Sequence, residues 1–178
     1  MRILKVNRND AGQRLDKFLT ILLLDKRPGV LVHEDAGAGD NTLLLHLRAY
    51  LCQRGEYRPS DEQSFAPALC NRIDRNTGGI VIAAKNAPAL REMNEKIRED
   101  RVRKYYLCAA HGIFKKKQDT LHGWLIKDSA GNMVDVFDRK VPGGKEIITK
   151  YRVLAEKNGN SLVEVELVTG RTHQIRAH

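Results

Sequence analysis

Long apolar runs are missing from this chain: none approaches the roughly 20 residues that a membrane-spanning helix needs, and no membrane partner is expected. The opening residues, MRILKVNRND, lack the apolar stretch of a secretory signal, so a cytoplasmic protein is expected. Cysteine is scarce. Cys52, Cys70 and Cys108 stand far apart with no Cys-x-x-Cys pair, which argues against a zinc knuckle or a dithiol redox motif and for reduced thiols. There is no Walker sequence, no Gly-x-Gly-x-x-Gly and no Gly-x-Ser-x-Gly. The AGAGD loop, residues 36–40, lacks the third glycine of a dinucleotide site. Neither a cofactor nor a metal is expected.

Acidic residues are the minority charge: 22 Asp and Glu stand against 31 Lys and Arg, a net charge of +9. Such an excess favours a polyanionic partner, most often nucleic acid, although an inert basic surface would give the same count. The 178 residues, 42% hydrophobic and 30% charged, suit a globular chain with one core of ordinary size or a core with a small appendage.

The apolar pattern predicts the elements. ILLLDKRPGVLVH reads as two short strands, residues 21–24 and 30–33, around a turn at Pro28-Gly29. NTLLLHLRAYL places Leu43, Leu44, Leu47 and Leu51 at helical spacing, with Asn41 or Thr42 as the cap. GGIVIAAK is a continuous apolar run, which predicts a strand in the middle of a sheet. A helix follows with Leu90, Met93 and Ile97 on one face and Pro88 in its first turn. Five more strands follow: KYYLCAAHG, TLHGWLIKD, NMVDVFD, IITKYRVLAEK and SLVEVELVTG. In the last of these, Val163, Val165 and Leu167 alternate with Glu164 and Glu166. About eight strands against three helices, with the strands gathered late, predict an α+β fold with a large mixed or antiparallel sheet.

Three clusters could carry chemistry. In CNRIDRNTGGI, Asp74 lies between Arg72 and Arg75 just ahead of a glycine turn. An aspartate there can simply bond turn amides, yet two cations within two positions favour its charged form, and a well-held carboxylate can act as a nucleophile. In TGRTHQIR, Arg171, His173, Gln174 and Arg176 gather at the end of the last strand; a phosphate-contacting basic turn without chemistry would look the same. In DRVRKYYL, Arg101, Arg103 and Lys104 precede Tyr105 and Tyr106. Cations beside aromatics suit base stacking, or an ordinary strand with one tyrosine inward and one outward. His33, His46 and His111 have no partners in sequence and read as structural.

In this order the clusters resemble the RluA family of RNA pseudouridine synthases. NRIDRNTGG is similar to the family's His-Arg-Leu-Asp-x-x-Thr-Ser-Gly motif, KYYLCAAHG to its Lys-x-Tyr-Leu-Ala segment, and LVTGRTHQIRAH to its Thr-Gly-Arg-x-His-Gln-Ile-Arg motif. LLLDKRPGVLVH resembles its Asn-Lys-Pro-x-Gly strand pair. The resemblance implies the pseudouridine synthase fold over residues 21–178, with RNA, either ribosomal or transfer RNA, as the partner, no cofactor, and a monomer. It implies Asp74 as the catalytic aspartate and Tyr106 as the active-site tyrosine. Arg176 best matches the basic residue paired with the aspartate, and Arg171 is the second candidate. Arg72 matches an arginine that fills the space of the flipped base. Arg75, Arg171, Lys104 and Lys26 complete the expected RNA contacts. The implied reaction breaks the N1–C1′ bond of a uridine taken out of its stack, turns the base and joins C5 to C1′.

Asn71 departs from the family's histidine and Gly78 from its serine, both at positions that shape the turn. The resemblance stops inside the third motif, beyond which family members continue, so a core incomplete at its C-terminal side is expected. Residues 1–20, with NDAGQRLDKFLT, resemble the start of an αL-type RNA-binding module. A catalytically inactive RNA-binding protein of the same fold, acting in ribosome assembly, is the competing expectation. A carboxylate-dependent hydrolase ranks last, because it needs a second acid near Asp74.

Overall fold

Hydrophobic alternation and helix caps account for most of the elements seen. The structure is a computed structural model that describes residues 20–34, 41–60, 65–127 and 133–178. The expected N-terminal module start, apart from Thr20, and the AGAGD loop lie outside the described residues. The chain divides into two compact units, residues 1–98 and 99–178.

In the first unit, β1 (Ile21–Lys26), β2 (Ala68–Leu69) and β3 (Gly79–Ala84) form an antiparallel sheet in the order β1-β3-β2. The apolar run of β3 takes the central place expected of it, and Val81, Ala83 and Ala84 are fully buried. Helix α1 (Leu43–Gln53) buries Leu47 and Leu51, and the Thr42 hydroxyl caps it by accepting from Leu45 N at 3.3 Å. Helix α2 (Ala87–Arg98) starts under the Asn86 side chain, which accepts from Ala89 N at 2.9 Å. Glu56, in the loop after α1, accepts from Lys85 at the end of β3 at 2.5 Å and from Arg54 at 2.9 Å, so a largely buried ion cluster ties that loop to the sheet.

The strand expected over residues 30–33 does not form. Leu31 makes only an isolated parallel bridge to Thr42. The carbonyls of Leu31 and Val32 instead accept from Leu43 N (2.7 Å) and Leu44 N (3.3 Å), two amides that the first turn of α1 leaves without intrahelical partners. The short β2, for which no strand was expected, pairs with β3 in its stead.

In the second unit, β4 (Lys104–His111), β5 (Gln118–Lys127), β6 (Val134–Phe137), β7 (Lys145–Lys157) and β8 (Asn160–Leu167) form one sheet in the order β4-β8-β7-β5-β6. Every neighbouring pair is antiparallel. Strands β7 and β8 join through Asn158 and Gly159, whose φ values of 52° and 74° are the left-handed pair of a tight hairpin turn. Val163 and Val165 are buried as the alternation of β8 requires, and Ile147 and Leu125 are buried in the same unit. A single turn of helix, α3 (Gln174–Ala177), follows β8. The described residues thus form an α+β chain built on antiparallel sheets, with no helix long and apolar enough to cross a membrane.

Candidate active site

The residues singled out by sequence fall into two groups. Lys26, Arg72, Asp74 and Arg75 belong to the first unit; Lys104, Tyr106, Arg171 and Arg176 belong to the second.

Asp74 lies on the loop that leads into β3. That loop leaves β2 with Cys70 N donating to Ile82 O at 2.7 Å, and the Asn71 side chain then continues the ladder. Its Oδ1 accepts from Ile82 N at 2.7 Å, and its Nδ2 donates to Ile80 O at 3.4 Å. An asparagine amide can imitate a peptide in this way, and the departure from the family's histidine acquires a structural role. Ile73 is buried at 9% exposure, which turns Arg72 outward and leaves Asp74 half-buried; Arg75 is exposed. A turn closes behind the aspartate, with Thr77 N donating to Asp74 O at 3.0 Å. Gly79 ends the loop at φ 136°, a conformation open to glycine and costly for other residues. At Gly78 a Cβ would sit 3.2 Å from Pro28 Cδ, so the bare backbone lets the loop approach the turn after β1.

That turn holds the aspartate loop from below. Lys26 is only 1% exposed, and its Nζ donates to Val30 O (2.8 Å), Arg75 O (2.9 Å) and Arg27 O (3.2 Å). The three ammonium protons therefore match three carbonyls. Burial pushes the Lys26 ammonium below the ordinary lysine value, and the nearby negative charge of Asp74 pulls it back up. The Arg75 carbonyl also accepts from Gly29 N at 2.8 Å, while Arg75 Nε donates to Gly29 O at 3.1 Å. Lys26, expected among the RNA contacts, thus points its charge into the protein. His33 lies close enough to Arg72 and Arg48 that their charges, after burial, lower its value below that of an ordinary histidine. Sequence separation hid that neighbourhood.

In the second unit, β4 alternates as the tyrosine pair requires. Tyr105 is 51% exposed, whereas Tyr106 is half-buried and paired in register with buried Val165. Lys104 pairs with Leu167, and its Nζ lies 3.8 Å from the place a Cβ on Gly170 would occupy. It therefore stands beside the turn that carries Arg171. Arg171 and Arg176 are exposed, Arg176 within α3. His173, just before the helix, has φ 58° and makes no side-chain cap. Gln174 is 1% exposed. In sequence it stands only as a neighbour of the arginines, and nothing local marks its partner Thr149, a buried hydroxyl on β7.

Chemically, the first unit offers a half-buried carboxylate on a loop pinned from two sides and flanked by outward cations, a form suited to attack on carbon or to proton removal beside an anionic polymer.

Comparison with known proteins identifies the family. The sequence model of the family described as RNA pseudouridylate synthase matches residues 20–178. The ribosomal large subunit pseudouridine synthase C of Vibrio cholerae is 35% identical over 158 residues, covering 89% of this chain and 45% of the relative. The ribosomal large subunit pseudouridine synthase D of Borreliella burgdorferi is 28% identical over 162 residues, covering 89% and 47%. Among solved structures, human RNA pseudouridylate synthase domain containing 1 shares the fold with a TM-score of 0.69 at 23% identity, covering 89% of this chain and 60% of that one. The chain spans about half the length of the curated relatives it matches. With four ordered motifs and a family match over nearly its whole length, the chain belongs to the RluA family of RNA pseudouridine synthases.

Proposed function

We propose that the protein isomerises uridine to pseudouridine in RNA, with Asp74 as the catalytic residue, and that its substrate is ribosomal RNA. The observation that carries the reading is the clasp around Asp74: a half-buried carboxylate whose loop is bonded to β3 through Asn71 and to the turn after β1 through Lys26. A protein that only bound RNA would gain nothing from an acid held rigidly among its cations. The names of the relatives, which specify the large ribosomal subunit, support ribosomal over transfer RNA.

The reaction is balanced without a cofactor. The N1–C1′ bond breaks, the uracil turns, C5 bonds to C1′, the C5 proton leaves and N1 gains one. Asp74 acts at the ribose, either by attack at C1′ or by removal of the C2′ proton, with attack at C6 of the base as the older alternative. Tyr106 stacks on the uracil and takes the C5 proton. Arg176 supplies the positive charge that the family pairs with the aspartate. Arg72 fills the space of the everted base, and Arg75, Arg171 and Lys104 contact phosphate. Lys26 is a positioning residue in this reading, since its donors are spent on carbonyls. The protein works as a monomer in the cytoplasm.

The test is tritium release from RNA labelled at C5 of uridine. The wild-type protein releases label; Asp74→Asn abolishes release and keeps RNA affinity. Turnover by the Asn variant would remove Asp74 from the mechanism.

A further inference from the structure

The basic turn after β8 is organised by one buried amide. Gln174 Oε1 accepts from Arg171 N and from Thr169 Oγ1, each at 3.0 Å. Its Nε2 donates to Ile148 O at 3.1 Å and to Thr149 Oγ1 at 2.9 Å. All four hydrogen-bonding positions of the amide are therefore filled. The orientation is unambiguous, because a peptide N–H faces one end of the amide and a peptide carbonyl faces the other. The hydroxyls extend the order. Thr169 Oγ1 accepts from Ile148 N at 2.8 Å, so its proton goes to Gln174. Thr149 Oγ1, accepting from Gln174, shares a hydrogen bond with Nδ1 of His178 at 2.9 Å. Burial holds the His178 imidazole below the ordinary histidine value.

This chain joins β7 to both arginine-bearing segments. Gln174 closes the turn on Arg171 twice, by the side-chain bond to Arg171 N and by its own N donating to Arg171 O at 3.2 Å. It is also the first residue of α3, which carries Arg176. A buried amide is a costly way to fill space, and an apolar side chain of the same length would fill it without four partners. Four satisfied bonds fix the angle at which α3 leaves the sheet, to a precision that apolar packing alone does not give.

We propose that Gln174 is a positioning residue that sets Arg176 for the reaction, acting through the hydroxyls of Thr149 and Thr169. The inference rests on the reading of Arg176 as the cation that serves the catalytic aspartate. It predicts a fault in turnover rather than in RNA capture, since displacing a catalytic group by about 1 Å costs on the order of 100-fold in rate.

The experiment measures single-turnover tritium release at saturating RNA, RNA affinity and melting temperature in the full-length protein. Gln174→Met should slow release about 100-fold with affinity changed less than about 3-fold. Gln174→Glu keeps the shape but, when ionised, faces the Ile148 carbonyl with a second acceptor. Protonation restores a donor there, so its rate should climb as pH falls, relative to wild type. Thr149→Val should slow release and Thr149→Ser restore it. Where Gln174→Met does not fold, the Glu variant and the Thr149 pair decide the matter. The proposal is overturned by a wild-type rate in Gln174→Met. It is equally overturned by a Glu variant whose pH profile parallels wild type, or by rate losses that simply follow melting temperature. Asp74→Asn, run alongside, separates the two ideas. An active Asn variant refutes the catalytic reading, whereas an inactive one beside an unimpaired Gln174→Met refutes the positioning role alone.

Discussion

Replacing Lys26 by methionine tests whether this lysine holds the aspartate loop or touches RNA. The substitution keeps most of the volume and removes a charged donor to three carbonyls. The Arg75 carbonyl retains Gly29 N at 2.8 Å, and the Arg27 carbonyl retains a long contact from Val30 N at 3.5 Å, while the Val30 carbonyl loses the donor at 2.8 Å. A buried carbonyl stripped of its partner costs about 1–3 kcal/mol, and a bond from a charged donor contributes about 1.5–3 kcal/mol. Against this, the variant no longer buries an ammonium, which burial already disfavours. The balance is a loss of about 3 kcal/mol, one well-placed bond fully lost and two weakened. In a chain of 178 residues that lowers the melting temperature by about 6–12 °C, at roughly 2–4 °C per kcal/mol. Thermal unfolding followed by circular dichroism reads this directly. RNA affinity measured across a salt series supplies the second arm. A lysine that contacts phosphate adds about 0.7 to the slope of log K against log salt on single-stranded nucleic acid; a lysine spent on carbonyls adds none. A melting temperature within about 2 °C of wild type, together with a slope reduced by about 0.7, would refute the structural reasoning and return Lys26 to the RNA contacts.

Arg75→Ala and Arg171→Ala, at exposed positions, should each reduce the same salt slope by about 0.7; slopes equal to wild type would show that neither meets phosphate. Glu56 governs an acid-side stability effect. Burial raises its value, but hydrogen bonds from Lys85 and Arg54 outweigh it and hold the folded value below the ordinary 4.5. Its contribution is therefore complete above about 4.5 and fades as pH falls through the lower folded value. Urea unfolding of wild type and Glu56→Gln at a series of pH values should show stabilities that differ at pH 7 and converge in acid, and a constant difference would contradict the assignment. Gly79→Ala places a side chain at φ 136° and should cost at least about 1 kcal/mol in denaturant unfolding; an unchanged midpoint would mean that the loop into β3 relaxes without strain.

Much of the site was legible because local chemistry wrote it. Four motifs in order singled out Asp74, Tyr106 and the arginines as candidates, and a period of two assigned the faces of β4 and β8. The Thr42 cap and the apolar face of α1 likewise depend on residues within a few positions of one another. The strand expected over residues 30–33 failed for a reason no local pattern contains: its carbonyls were needed by the first amides of α1.

Lys26 makes the same point about function. Beside a Pro-Gly turn, a lysine next to an arginine looks like a surface cation, and a partner 49 residues away turns it into the anchor of the aspartate loop. Gln174 reads as one polar residue among basic neighbours, yet β7 supplies acceptors 25 and 26 residues earlier that make it the centre of a hydrogen-bond chain. Family and most element types were thus legible in the chain itself, because periodicity and motif are properties of near neighbours. The burial of a charge, the choice of β2 over a second strand at 30–33, and the bonding of a buried amide were decided only on folding, because each depends on which distant carbonyls and hydroxyls the sheets bring within about 3 Å.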